Sequence, residues 1–383
     1  MNYHQAPPQD LLQIISLQYF RPCSELIFMN VAVAQKPKKS LVNILKEKFL
    51  FSFRLTDEPR VKLYNGYGNK TQCVVFGHVF SFGPVPRKKY RKNFLSNTLA
   101  LLRLFMVQPV AGANLQLTWN GEVYKTKSAA DGFFRFEWHP GKELEPGWHD
   151  VQVEWHHSRK GTLLSTGTAH IAIPFYNQFA FISDIDDTFL ISHSSNLRKR
   201  LFVLLTENAR SRKPFEGVVN HYQLLSRAGA PENTTNPFFF VSSSEWNLYN
   251  YITEFSDLNK LPKGIYLLNQ LKLFSQVFKT GQNNHKTKFM RISRIMEAYP
   301  DQRVVLLGDD SQEDPFIYAS ISSYFQKQVH AVYIRRTEKE PKPLVEAKLK
   351  EIAESGIFYC YFTHSSEAVI HSRDIGLISS SQV

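Results

Sequence analysis

The sequence predicts an α/β fold over residues 178–383, a parallel sheet with crossover helices, preceded by an all-β, sandwich-like domain over residues 56–177. Three observations predict it. From residue 179 onward, short apolar runs alternate with helix-like segments, the pattern of parallel strands joined by helices. Between about 60 and 175, β runs follow one another through turn residues with no helix between them. Several of the later apolar runs end in acidic or hydroxyl residues, and a parallel sheet presents its reactive groups at the carboxyl ends of its strands.

Residues 1–55 form a separate N-terminal region. Leu41, Ile44, Leu45, Phe49 and Leu50 recur at helical spacing, so a basic amphipathic helix is expected near residues 40–50. The β domain then opens with Val61-Lys62-Leu63-Tyr64, read as a strand that turns at Asn65-Gly66-Tyr67-Gly68 and returns through Gln72–Phe76. Ala113–Trp119 and Glu122–Lys125 flank Asn120-Gly121, and an Asn-Gly pair between alternating runs is a strong hairpin signal. Asp131-Gly132 precedes Phe133–Trp138, and Pro146-Gly147 precedes Trp148–Trp155, where Val151, Val153 and Trp155 alternate with polar residues. His78, His139, His149, His156 and His157 are scattered without metal-ligand spacing. No catalytic constellation is expected in this domain.

In the α/β region the first strand, Phe179–Ile182, runs into Ser183-Asp184-Ile185-Asp186-Asp187-Thr188. Alternation puts Asp184 and Asp186 on one side of the chain. Like charges so close call for a cation, an unusual protonation state, or both. A calcium-binding loop of the helix–loop–helix type needs Gly at its sixth position and Glu at its twelfth, where this stretch has Phe189 and Ser195. Further strands are read at Phe238–Val241, Gly264–Leu268, Arg303–Leu307, His330–Ile334 and Gly356–Phe362. The second ends in Ser242-Ser243-Ser244, and the fourth in Gly308-Asp309 with Asp314 close behind. His285-Lys286 precedes a helix-like stretch in which Phe289, Ile292 and Ile295 keep a three-residue spacing.

Composition bounds the function classes. A chain of 383 residues with 43% hydrophobic and 14% aromatic content folds into a sizeable core. Its three cysteines, Cys23, Cys73 and Cys360, are widely spaced, which argues against a disulfide framework and for a reducing compartment. No run reaches the ~18 apolar residues that span a bilayer, and the N-terminus lacks the features of a secretory signal. A soluble, cytoplasmic protein is expected, peripheral at most to a membrane. The formal charge of +12 favours anionic partners. No nucleic-acid reading motif accompanies the basic clusters, so nucleic acid is not expected.

Taken in order, Asp184-Ile185-Asp186-Asp187-Thr188, Val241-Ser242-Ser243-Ser244-Glu245-Trp246, Pro262-Lys263-Gly264, His285-Lys286 and Gly308-Asp309 through Asp314-Pro315-Phe316-Ile317-Tyr318 resemble the motifs of the haloacid dehalogenase (HAD) superfamily. Among its members they look like the App-type Mg²⁺-dependent phosphatidate phosphatases. Tyr333-Ile334-Arg335 also fits, and the upstream Gly66-Tyr67-Gly68, Asp131-Gly132-Phe133 and Gly147-Trp148 are similar to the β domain of bacterial members. The resemblance covers about residues 60–375.

It implies a HAD-like Rossmannoid sheet and hydrolysis of phosphatidate to diacylglycerol and phosphate. Asp184 would be the nucleophile, forming an aspartyl-phosphate, and Asp186 the general acid and then base. Ser242 would bond a phosphoryl oxygen and Lys286 would be the fixed cation. Mg²⁺ would be held by Asp184, Asp309 and the Asp186 carbonyl, with Asp314 completing the acidic loop. Thr188 to Gly217 sits where an insert covers the site. Thr188, Ser243 and the basic Arg198, Lys199 and Arg200 would then contact substrate, consistent with an anionic headgroup at a membrane surface. Two positions depart from the family pattern: Asp310-Ser311 stands for Ser-Gly, and Glu245 stands for Pro. The extra acid at Asp310 is expected to alter metal affinity or repel an anionic headgroup. Two other readings remain open at this point: a phosphatase for a soluble or protein phosphoester, and a non-catalytic adaptor for anionic lipid.

Overall fold

The computed structural model describes residues 55–56, 58–84, 103–175, 178–185, 214–272 and 284–379. The expected helix near residues 40–50 and residues 188–213 of the insert expected at 188–217 lie outside the described residues. Phe53–Val383 clusters as one compact unit.

Its first part is a sheet of β1 (Leu55–Thr56), β2 (Arg60–Gly68), β3 (Cys73–Pro84), β4 (Gln108–Pro109), β5 (Asn114–Trp119), β6 (Glu122–Lys127), β7 (Phe133–Trp138), β8 (Gly147–His156) and β9 (Leu163–Ile173). The expected sandwich is one hydrogen-bonded sheet, ordered β1-β3-β2-β9-β8-β5-β6, with β4 and β7 also paired to β3. Its ends meet where Trp119 and Tyr124 pack on Trp138, with ring centroids 5.4 and 6.2 Å apart. The curled sheet therefore encloses an apolar core, built from residues such as Val61, Leu63, Val75, Leu117, Phe136 and Val153, much as two facing sheets would.

The hairpin at Asn120-Gly121 forms as expected. Both residues take positive φ (50° and 85°) and join Trp119 to Glu122 in register, the geometry that Asn-Gly favours. The turn expected at Asn65–Gly68 does not form. The strand continues to Gly68 with a bulge between Tyr64 and Tyr67. The chain reverses at Asn69, whose side-chain oxygen accepts the backbone N–H groups of Thr71 and Gln72. The glycines serve close approach instead of reversal: a Cβ on Gly66 would lie 2.0 Å from the Val74 carbonyl oxygen.

The two faces of this strand serve different cores, and the bulge keeps Tyr67 on the side of Tyr64. Val61 and Leu63 enter the β core, whereas Tyr64 and Tyr67 join the core of the α/β part. Tyr64 stacks on Trp246 at 4.2 Å, and Tyr67 meets Phe239 edge-on. The Asn65 and Asn69 side-chain amides donate to the carbonyls of Gly264 and Ala298.

The second part holds β10 (Ala180–Ser183), α1 (Val218–Ser226), β11 (Phe238–Glu245), α2 (Tyr249–Leu258), β12 (Gly264–Asn269), α3 (Asn284–Ala298) and β13 (Val304–Asp309). It continues through α4 (Asp314–Tyr324), β14 (Val329–Arg335), α5 (Pro343–Glu354), β15 (Phe358–Phe362) and α6 (Ser365–Asp374). All six strands are parallel, in the order β12-β11-β10-β13-β14-β15. The central strands are apolar up to their carboxyl ends because both faces are buried. Phe238 packs toward Tyr222 of α1, and Phe239 toward Tyr299 beyond α3. The strand order reverses between β10 and β13, the crevice where open α/β sheets hold ligands. Asp184 and Asp309 stand at the carboxyl ends of these two strands.

Candidate active site

Asp184 follows β10 directly and is 1% exposed. Its backbone N–H donates to the Leu307 carbonyl at 2.8 Å, and the same carbonyl accepts the Tyr318 hydroxyl at 2.9 Å. The Ser183 hydroxyl donates to the Asp184 carbonyl at 2.6 Å, and the Tyr222 hydroxyl lies 2.8 Å from Ser183 Oγ. Neighbouring backbone and two tyrosines therefore hold the residue.

Asp309 ends β13 and Asp314 opens α4, both buried. Gly308 allows this pairing. A Cβ there would lie 2.6 Å from Asp314 Oδ2 and 2.8 Å from Tyr318 Cε2. The loop between them turns on the Ser311 N–H, which donates to Asp309 Oδ1 at 2.6 Å. One carboxylate oxygen from each of Asp184, Asp309 and Asp314 falls within 4.8 Å of the others.

Lys288 lies against this cluster. Its Nζ donates to Asp184 Oδ1 at 2.6 Å and also to Asp314 Oδ1. Burial alone would strip its proton, but the Asp184 and Asp314 carboxylates outweigh burial and hold the ammonium charged, its pKa above the ordinary lysine value. Burial, with the Asp314 charge beside it, pushes the Asp309 carboxyl up to about 7. One ammonium among three carboxylates leaves excess negative charge in a dry site. Asp314 Oδ2 is buried and accepts no hydrogen bond among the described residues. An all-oxygen, undercompensated, convergent set is what a hard divalent cation requires, so these residues fit a metal site.

The sequence reading assigned the fixed cation to Lys286, whose side chain lies outside the described residues; the lysine bound to Asp184 is Lys288. Helix phase explains the choice. Lys288, Ile292 and Ile295 share one buried face of α3, four and three residues apart, the recurrence of a single helical face. Extending the Ile292–Ile295 spacing backwards by four residues would have found it.

Ser242 is fully buried on β11, two residues past Phe240, the register partner of Ser183. Its Oγ accepts the Ser244 N–H at 2.9 Å. Its carbonyl accepts Arg291 Nη1 at 3.0 Å, while Arg291 Nη2 donates to Asn269 Oδ1 at 3.1 Å. Arg291, which the sequence reading did not single out, thus ties the ends of β11 and β12 to α3. Ser243 is half-buried beside Ser242. Asp186, Thr188, Arg198, Lys199 and Arg200 lie outside the described residues.

The two departures from the family pattern have structural roles. The Asp310 carboxylate accepts the Thr337 N–H (2.8 Å) and hydroxyl (2.6 Å) and the Tyr361 hydroxyl (2.7 Å), while Lys342 donates to its carbonyl oxygen. Its carboxylate is thus engaged by Thr337 and Tyr361, apart from the three clustered carboxylates. Glu245 pairs with Lys272 at 2.6 Å, bracing the loop after β12.

Comparison with known proteins bears on this arrangement. Residues 179–336 match the family model described as "Phosphatidate phosphatase APP1, catalytic domain". Over these residues the chain is similar to the App-type phosphatidate phosphatase family. The match spans β10 to the residue after β14 and so contains Asp184, Ser242, Lys288, Asp309 and Asp314. Among App-type relatives, phosphatidate phosphatase APP1 of Saccharomyces cerevisiae is 26% identical over 186 residues, 49% of this chain and 30% of the yeast protein. An uncharacterized protein of Schizosaccharomyces pombe is 22% identical over 161 residues, 42% of this chain and 25% of that protein. The chain thus spans less than a third of the length of the curated relatives it matches. Among solved structures, a carbohydrate acetylesterase from Xanthomonas citri aligns at TM-score 0.30 and 9% identity over 82% of this chain and 73% of that one. A likeness that distant carries no argument. No helix among the described residues is long and apolar enough to cross a membrane.

Proposed function

We propose that this chain is a Mg²⁺-dependent phosphatidate phosphatase that converts phosphatidate to diacylglycerol and phosphate. In this reading residues 178–383 are a HAD-like catalytic domain and residues 56–177 its accessory β domain. The observation that carries the proposal is the buried Asp184–Asp309–Asp314 cluster bridged by Lys288, inside the segment matched by the family's catalytic domain.

Asp184 attacks phosphorus. An Asp184 oxygen–phosphorus bond forms as the bond to the glyceryl oxygen breaks, and Asp186 gives that oxygen a proton, releasing diacylglycerol. Asp186 then takes a proton from water, whose oxygen attacks the aspartyl-phosphate and regenerates the Asp184 carboxylate with release of phosphate. Lys288 orients the nucleophile and keeps its carboxylate ionised in the dry site. Ser242, held by its neighbours on β11, donates to a phosphoryl oxygen. Asp184, Asp309 and Asp314 would hold the Mg²⁺, which when bound offsets the charge of the phosphoryl oxygens.

The test is phosphate release from phosphatidate in mixed micelles and from a panel of soluble phosphoesters, with and without Mg²⁺, using Asp184→Asn as control. Mg²⁺-dependent turnover of phosphatidate, absent in the variant, is the expected result. Turnover of soluble esters alone would keep the site and discard the lipid; full activity in Asp184→Asn would end the covalent mechanism.

A further inference from the structure

The β8–β9 hairpin ends in a tip of unusual composition. Leu163 and Leu164 are adjacent and 54% and 37% exposed. Arg159 and Lys160 are exposed in the turn before them, and exposed Lys127 lies two strands across, since Asn114 pairs with both Lys127 and His156. Among the described residues none of these three cations forms an ion pair, whereas the nearby Glu154 is engaged by His156 at 2.9 Å. Single exposed leucines are ordinary; two together beside a turn, with three basic groups near them that form no ion pair among the described residues, are not.

The turn is ordered by its own bonds. The His157 N–H donates to the Thr162 carbonyl, and the Gly161 N–H to the His157 carbonyl. The His157 Nδ1 accepts the N–H groups of Arg159 and Lys160. Several of its backbone groups therefore stay satisfied if the tip leaves water, the condition for entering a lipid interface.

The tip is placed by β9, which runs beside β2. Along β2, Asn69 and Tyr67 reach Ala298 and Phe239, near the starts of the parallel strands, whereas Tyr64 stacks on Trp246, just past the end of β11. β9 runs parallel beside β2, with Gly66 opposite Ile171 and Tyr67 opposite Ala172. The start of β9, and so the hairpin tip, lies toward the Arg60 end of β2, where the Val61 N–H donates to Ser165 Oγ.

We propose that this tip docks on anionic bilayers, with Leu163 and Leu164 entering the headgroup–acyl boundary and Arg159, Lys160 and Lys127 meeting acidic headgroups. The β domain then holds the catalytic crevice at the surface that carries its substrate, a step that rests on the lipid reading above. Each basic residue near such a surface is worth roughly fivefold in binding, and the contact weakens with salt.

The test is flotation of the full chain with vesicles of phosphatidylcholine plus phosphatidylserine, and of phosphatidylcholine alone. Phosphatidylserine is not a phosphomonoester, so binding is read independently of catalysis. Wild type is expected to bind the anionic vesicles in a salt-dependent way. Leu163→Ser/Leu164→Ser and Arg159→Glu/Lys160→Glu are each expected to lose about tenfold or more, with unchanged Tm and unchanged turnover of any soluble phosphoester. Wild type that ignores anionic vesicles, or variants that bind as it does, would overturn the proposal. Hairpin-dependent binding without phosphatidate turnover would uphold the docking surface while removing the proposed substrate.

Discussion

The carboxylate of Asp310 ends on the hydroxyl of Tyr361, 2.7 Å away on β15, although its neighbour Asp309 points into the acidic cluster. Two adjacent acids at one strand end thus serve different purposes, because successive side chains leave a strand in opposite directions. Asp309 faces the crevice; Asp310 fastens Thr337 and Tyr361, the segments that follow β14 and make up β15.

Asp310→Asn is therefore expected to act on stability and not on catalysis. The amide keeps the shape but turns a donor toward the Thr337 N–H or the Tyr361 hydroxyl, at a cost of about 2 kcal/mol. Denaturant unfolding should show that loss, while the Mg²⁺ concentration for half-maximal turnover stays at the wild-type value. A several-fold change in that concentration would show that Asp310 does reach the metal.

Lys288→Met leaves the Asp184 and Asp314 carboxylates buried without their common cation. Breaking a buried ion pair from one side costs roughly 3–5 kcal/mol, and turnover should fall at least about a hundredfold through loss of the oriented nucleophile. Added Mg²⁺ should restore part of the lost Tm and little of the activity. If the variant matched wild type in stability without Mg²⁺, the ion-pair description would be wrong.

Gly308→Ala adds one methyl at a position where the nearest side-chain atoms are Asp314 Oδ2 and Tyr318 Cε2. Overpacking of this kind costs about 1–3 kcal/mol, and here the easiest relief is to push the Asp314 carboxylate away. We expect a raised Mg²⁺ requirement alongside the lowered Tm, both measurable on one preparation. A stability loss with unaltered Mg²⁺ dependence would show that the backbone, not Asp314, gives way.

Two buried histidines predict the response to acid. Burial, with the Lys62 charge opposite, lowers the His78 pKa to about 3, and burial with the Arg335 charge does the same for His221. The unfolded chain binds these protons near pH 6.5, before the folded protein does. Stability is therefore complete above that value and falls as pH drops through the window down to about 3. Well below pH 6.5 each ring removes about 1.4 kcal/mol per pH unit. The urea midpoint should decline between about pH 7 and about pH 5, and His78→Phe, though weaker at neutral pH for leaving the Tyr64 hydroxyl without its partner, should decline less steeply. Equal slopes would remove His78 from the account.

By itself the sequence determined the elements and the chemistry offered at their ends. Apolar runs too short for helices marked the parallel strands, Asn120-Gly121 marked its hairpin, and the acids Asp184, Asp309 and Asp314 stood out because each follows a strand, ends one or opens the next helix. These are local properties, carried by periodicity and turn chemistry. Tertiary packing decided which side chains converge. Lys288 is the partner of Asp184 because the buried face of α3 sets its rotation against the sheet. Asp310 turns outward because Tyr361 and Thr337, 51 and 27 residues further along, wait on that side. Gly66 and Gly68 became a bulge and not a turn because Val74 and Cys73 press against them, and the nine β strands closed into one curled sheet when Trp138 met Trp119 and Tyr124. Each of these outcomes depends on contacts between residues distant in the chain, and no local pattern encodes the rotation or register that brings them together.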